Sequence, residues 1–205
     1  MRPELWDLEN ELFAEGYQTI AGVDEAGRGP IVGDVYAAAV ILPRGVVISG
    51  LDDSKRVNEK KRELLYGEII KVAVSYCVAS ASVEEIEELN ILGATMLAMS
   101  RAVSGLTITP DITLIDGNAN KGILFPNRTI ISGDAKSASI AAASIIAKVT
   151  RDRYMIKLAE EYPGYGFEKH KGYGTKAHYA ALDELGLTPV HRQKFLRKYN
   201  NGRHK

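Results

Sequence analysis

Asp24 and Glu25 close the apolar run in "TIAGVDEAGRGP", Asp116 closes a second in "ITLIDG", and Asp134 a third in "TIISGD". A carboxylate at the end of a buried strand is costly to desolvate unless a cation compensates it. Four such groups converging from three strand ends would repel one another, and a divalent cation is the natural compensation. With only oxygen ligands on offer, Mg²⁺ or Mn²⁺ is the expected ion. No Cys/His spacing suits zinc, and His170, His178, His191 and His204 all lie elsewhere in the sequence. An acid after a strand also starts many ordinary turns, and Asp116-Gly117 fits a plain hairpin. Pattern alone leaves both readings open. Neighbouring strand residues point to opposite faces, so Asp24 and Glu25 share a site only if the strand ends or twists at Glu25. Gly27 permits that.

Gly27-Arg28-Gly29 follows directly. A phosphate loop or dinucleotide fingerprint needs a helix after it, and "PIVGDVYAAAV" reads as strand. The glycines can let the backbone approach a substrate, with Arg28 as an ion-pair anchor or phosphate contact, or they can make a tight turn. "DSK", Asp53 to Lys55, can offer a hydroxyl and an ammonium to a phosphate. "HKGYGT" sets Tyr173 between glycines beside Lys169 and Lys171. Such a ring suits stacking on a sugar or base, or it packs into the fold.

These groups need elements to position them. Glu4 to Glu15 reads as a helix, Thr19 to Glu25 as a strand, and Asp34 to Leu42 as its antiparallel neighbour. Asn58 is a plausible N-cap for a helix to about Lys71. A third strand covers Val72 to Ser80. Ser82 and Glu85 form a capping box, and a helix follows from Ile91 to about Ser104. "DITLIDGN" and "RTIISGD" read as short buried strands. A long helix runs from Ser139 to Tyr162, with small residues Ala141 to Ser144 inviting close packing. Pro163 to Gly174 reads as loop. Helices follow from Thr175 to Leu185, and from Pro189 to about Tyr199 with Thr188 as N-cap. The pattern is α/β with a mixed sheet over residues 1–162 and a basic helical subdomain, 163–205, integral to the same compact unit.

The 205 residues carry 26 basic and 26 acidic side chains, and the net charge of zero argues against a simple nucleic-acid coat. The distribution is uneven. Lys169, Lys171, Lys176, Arg192, Lys194, Arg197, Lys198, Arg203 and Lys205 face only Asp183 and Glu184 in the last stretch. Such a segment suits a polyanion, or it is a solvated helical surface. One cysteine, Cys77, excludes an internal disulfide. The acidic, amphipathic N-terminus lacks a signal-peptide pattern, and no apolar run approaches a membrane span. A cytoplasmic protein is expected, acting as a monomer and with no membrane partner.

Six segments in order, "AGVDEAGRGP", "DDSKRVNEKKRELLY", "ELNILGATMLAMSRAV", "LIDGN", "SGDAKSASIAAASIIAKVTRD" and "GYGFEKHKGYGT", resemble those of bacterial ribonuclease HII, the type 2 ribonuclease H. The resemblance runs from about Ile20 to Arg197. It implies a ribonuclease H-like fold, a central mixed sheet flanked by helices with a helical C-terminal subdomain. It implies a metal-dependent endonuclease that cuts the RNA strand of RNA–DNA hybrids. It further implies incision 5′ to single ribonucleotides in duplex DNA, as in ribonucleotide excision repair, by a mechanism with two Mg²⁺ or Mn²⁺ ions leaving 3′-OH and 5′-phosphate ends. On this resemblance the metal-binding catalytic carboxylates are Asp24, Glu25, Asp116 and Asp134. Gly27, Arg28 and Gly29 read the ribose 2′-OH, Ser54 and Lys55 contact phosphate, and Tyr173 stacks on the deoxyribose past the junction. Asp34 stands where many relatives have proline.

A nonenzymatic hybrid-binding module would need the glycines, the tyrosine and the basic tail, but no acid cluster. Another metal nuclease of this fold, a resolvase or integrase, would ignore a 2′-OH. "QKFLRKY" weakly resembles a sliding-clamp peptide through Gln193, Leu196 and Tyr199. It lacks the second aromatic and is expected to pack into the domain instead.

Overall fold

The computed structural model of the chain describes residues 3–52, 54, 57–197, 199 and 201. A short 3₁₀ turn, Pro3–Trp6, leads into α1 (Asp7–Ala14). Then come β1 (Ile20–Ala26), β2 (Val35–Ile41), α2 (Glu59–Val72), β3 (Ser75–Ala81), α3 (Val83–Ser104), β4 (Ile112–Asp116), β5 (Asn127–Ile130), α4 (Ala138–Glu161), α5 (Phe167–His170) and α6 (Lys176–Leu185). The five strands form one mixed sheet in the order β3-β2-β1-β4-β5. The first three pair antiparallel, while β4 and β5 run parallel to β1. The α/β expectation with a central mixed sheet holds.

Strand alternation divides the core. Ala38 and Val40 of β2 pack against α2 and α4 on one face. Val35, Ala37 and Ala39, one residue out of step, pack against α3 on the other with Val23 and Ile115. At Gly22 of β1, a Cβ would lie 2.1 Å from the backbone carbon of Ser139, so only glycine lets α4 sit this close to the sheet. Glu9 of α1 fixes the helix start: its carboxylate accepts from Ser137 Oγ at 2.6 Å and from the Ser139 N–H at 2.9 Å. The Asn58 cap and the Ser82–Glu85 capping box are present, and Thr175, expected as the first residue of a helix, caps α6 instead.

Several expectations change. The α2 helix continues to Val72, so β3 starts only at Ser75. The capping box opens a helix that kinks at Asn90 (φ 62°) before continuing from Ile91. The supposed loop before Gly174 contains α5. β5 stops at Ile130, and Asp134 lies not at a strand end but on a 3₁₀ turn, Gly133–Ala135. No helix starts at Pro189. The backbone there bridges to the segment after Pro30 instead: Gly33 N–H donates to Val190 O at 2.8 Å, and Arg192 N–H to Ile31 O at 2.8 Å. Those long-range bonds replace the helical ones. Thr188 turns its hydroxyl and N–H to His191 rather than capping a helix. A 3₁₀ turn, Gln193–Leu196, is the first helical geometry after α6.

Candidate active site

Val23 of β1 pairs with Ile115 of the parallel β4, so the next residues, Asp24 near the end of β1 and Asp116 at the end of β4, lie side by side. The carboxyl ends of parallel strands are where open α/β sheets place ligands. A pocket of about 220 Å³ opens there, lined by Asp24, Glu25, Gly27, Arg28, Gly29, Ser54, Asp116 and Tyr173, together with Ser144, Lys148 and Arg151 of α4. β1 does not end at Glu25 but runs on to Ala26, and both acids still line the pocket. Gly27 follows with φ +101°, where a Cβ would meet Arg151 Nε at 2.0 Å.

Asp24 is buried, and its Oδ1 accepts the Glu25 N–H at 2.7 Å. Burial, then the charges of Glu25 and Asp116, raise its carboxyl pKa well above the usual range; a hydrogen bond from Ser144 works against this. Ser144 Oγ in turn stands 2.8 Å from Ser54 Oγ, so the loop serine and Asp24 share one partner. Glu25 Oε1 faces Arg28 at 3.3 Å. Asp116 Oδ1 accepts the Gly133 N–H at 2.6 Å, which docks the Asp134 turn against the end of β4. Asp134 is buried beside the pocket rather than in its lining. Lys148 is tied to Asp152 at 2.6 Å, and burial lowers its pKa.

The donor set fits a hard divalent cation in kind: carboxylate oxygens crowd one pocket, and Asp24 bears the repulsion. Among the described residues, no three Asp, Glu, His or Cys side chains are arranged to hold one ion as they stand. Glu25 faces Arg28, and one oxygen each of Asp24 and Asp116 is taken by backbone N–H groups. A bound cation would draw these carboxylates inward.

Tyr173 is half exposed, and a Cβ on Gly29 would come within 3.3 Å of its ring. Lys55 and Asp53 lie outside the described residues. Asp34 does not line the pocket; its carboxylate faces Tyr154 and Ser80 hydroxyls at 3.5 Å.

Sequence reasoning missed the α4 contribution. Ser144, Lys148 and Arg151 recur at i, i+4 and i+7, the spacing of one helix face, and that signal was available. It also missed Arg192, counted among surface charges. Arg192 is fully buried and donates to four carbonyls: Gly27 at 2.8 Å, Arg28 at 3.2 Å, Pro30 at 2.8 Å and Gly33 at 2.7 Å. Burial, then Arg151, pulls its pKa down to about 9, still cationic at neutral pH. Arg151 likewise reaches the carbonyls of Val32, Asp34 and Lys171.

The family described as Ribonuclease HII matches residues 21–198. The chain belongs to the ribonuclease HII family. Ribonuclease HII of Caldicellulosiruptor bescii is 51% identical over 192 residues, covering 94% of this chain and 93% of that protein. Ribonuclease HII of Endomicrobium trichonymphae is 52% identical over 196 residues, covering 95% and 93%. Among solved structures, ribonuclease H2 from Pyrococcus horikoshii superposes with a TM-score of 0.76 at 27% identity, over 92% of this chain and 100% of that one. The RNase HII of Archaeoglobus fulgidus, solved as a complex with PCNA, gives 0.72 at 25% identity, over 86% and 95%. As a ribonuclease HII, the protein is an endoribonuclease acting on the RNA of RNA–DNA hybrids. Its sheet and flanking helices are the ribonuclease H-like fold expected from the sequence.

Proposed function

We propose that this ribonuclease HII also incises duplex DNA on the 5′ side of a single embedded ribonucleotide, leaving 3′-OH and 5′-phosphate ends. The observation that carries the reading is the single pocket shared by Asp24, Glu25, Asp116, the Gly27–Gly29 turn and Tyr173. Asp24, Glu25, Asp116 and Asp134 are the residues that would hold two Mg²⁺ or Mn²⁺ ions. When bound, these supply charge neutralisation at the scissile phosphate and a lowered pKa for the attacking water.

The protein's own groups do the rest. With the Gly27, Arg28 and Pro30 carbonyls turned back to Arg192, the other edge of the Gly27–Gly29 turn is left to meet the ribose 2′-OH. That hydroxyl is the local mark separating RNA from DNA. Tyr173 stacks on the sugar past the junction, beside Gly29. Ser54, with Lys55, contacts a phosphate, and its hydrogen bond to Ser144 links that contact to Asp24.

A clamp-binding role for Gln193, Leu196 and Tyr199 finds little support, because Leu196 is buried with Ile31 and Phe167. A binding module without chemistry would have no need of acids crowded around the buried Asp24.

The test is a duplex carrying one ribonucleotide, incubated with and without Mg²⁺ or Mn²⁺, with the cut mapped to a single bond. Cleavage 5′ to the ribonucleotide, and only with metal, is expected. All-DNA duplex cut equally fast would overturn the proposal. Asp116→Asn should abolish cleavage while hybrid binding persists.

A further inference from the structure

Behind the pocket, the Tyr173 backbone is held by imidazoles whose protonation the geometry dictates. His178 Nδ1 stands 2.9 Å from Tyr173 O. A carbonyl only accepts, so Nδ1 carries the hydrogen, and Nε2 of the neutral ring is then an acceptor. That nitrogen faces His191 Nε2 at 3.3 Å, so His191 must donate from Nε2. His191 Nδ1 is left as an acceptor, and it meets the Thr188 N–H at 3.0 Å and the Thr188 hydroxyl at 2.8 Å. All these bonds run one way, from Thr188 through His191 and His178 to the Tyr173 carbonyl.

His170 stacks on His178 with centroids 4.4 Å apart. Its Nε2–H donates to Tyr165 O at 2.8 Å, and its Nδ1 accepts the Gly172 N–H at 3.2 Å. Two adjacent backbone groups of the tyrosine loop are therefore fixed by two stacked rings. His178 and His191 are wholly buried.

We propose that His178 and His191 are positioning residues for Tyr173: their directed hydrogen-bond chain sets the ring beside Gly29 and so sharpens recognition of the ribonucleotide junction. This rests on Tyr173 meeting the substrate, as proposed above. Only the doubly neutral pair satisfies every contact. A proton on His178 Nε2 would set two N–H groups face to face, and a proton on His191 Nδ1 would face the Thr188 N–H.

The groups facing the pair are His170 and Phe167 of α5, Tyr165 and Tyr173 of the flanking loops, and Thr188. Arg151 and Arg192, the buried cations of this region, are turned to backbone carbonyls. Burial holds both imidazoles down to about 4, in keeping with a neutral pair.

A double-mutant cycle on incision of a one-ribonucleotide duplex tests this. It compares Tyr173→Ala, His178→Phe and their combination, with His178→Asn retaining an N–H near the Nδ1 position. His178→Phe is expected to lower kcat/KM about tenfold. His178→Asn should recover most of that loss, and His178→Phe should cost nothing further in the Tyr173→Ala background. Wild-type kcat/KM in Tyr173→Ala would overturn the reading of Tyr173 itself. A defect in Tyr173→Ala with an independent, additive defect in His178→Phe, or with none, would overturn the relay alone, as would equal losses in His178→Phe and His178→Asn. The wild-type protein gives a readout free of folding effects: imidazole ¹⁵N shifts at pH 7 must show His178 protonated at Nδ1 and His191 at Nε2. The opposite tautomer of either ring overturns the proposal.

Discussion

Two regions of this molecule bury charge, and they do so in opposite ways. Behind the Gly27–Gly33 segment, Arg192 and Arg151 spread their hydrogen bonds over seven backbone carbonyls. In front of it, Asp24 and Asp116 lie side by side on neighbouring strands beside Glu25, and the carboxyl of Asp24 is pushed well up by burial and by those two neighbours. The cationic region is satisfied by backbone carbonyls, while in the anionic one Glu25 faces Arg28 and Asp24 still carries the repulsion of its neighbours. A polar group closed off by internal partners is scaffold. One held against its own electrostatics is waiting for something that is not protein.

The largest effect should come from the scaffold side. Arg192→Met leaves four carbonyls, those of Pro30 and Gly33 in buried bonds, without their donor and should cost about 3–5 kcal/mol in urea unfolding. Arg192→Lys should recover less than half, because one ammonium cannot replace the planar fork. An unfolding midpoint for Arg192→Met equal to wild type would break the contrast between the regions.

Acid should then pull the two regions apart. His178 and His191 titrate near 4 in the fold, against 6.5 for an ordinary imidazole. The folded state thus binds fewer protons there, and this stability is complete above pH 6.5 and drains as pH falls toward 4, by on the order of 3 kcal/mol. Asp24 has the reverse sign: its raised pKa makes the native state gain on acidification as the repulsion is relieved. Unfolding measured from pH 7 to 4.5 should therefore fall more steeply in Asp24→Asn than in wild type. Parallel curves would show that the carboxylates do not repel as described.

The smallest effect sharpens the anionic side. At pH 7 in chelator, Asp24→Asn should gain about 1 kcal/mol, a rise of about 2–4 °C in Tm, while cleavage is lost. Mg²⁺ should raise the Tm of wild type but not of the variant. A variant melting below wild type in chelator would mean that Asp24 is stabilising.

Much of the frame was legible because local rules govern it. The Asn58 and Ser82 caps act within three residues, and β1 and β2 declared themselves by apolar runs joined across a short Gly/Pro turn. Asp116 was legible as a strand end for the same reason, and Asp24 as lying near one. Asp134 was not, because β5 is four residues long and stops before it. The stretch from Pro189 failed differently. Its helical signals are genuine, but hydrogen bonds to Ile31 and Gly33 override them. Arg192 looked like surface basicity, and His178 and His191 carried no signal, because their partners are largely backbone groups or one another, which no side-chain pattern announces.

The Arg192 contact with Gly27 joins positions 165 apart in the chain. A ribosome adding 5–20 residues per second needs about 10–30 s to bridge that interval. Throughout that time the nascent polypeptide can already form its first hairpin, yet the turn beside the acids has no clamp. Competence to handle nucleic acid should thus arrive late in synthesis, once Arg192 can reach the Gly27 carbonyl.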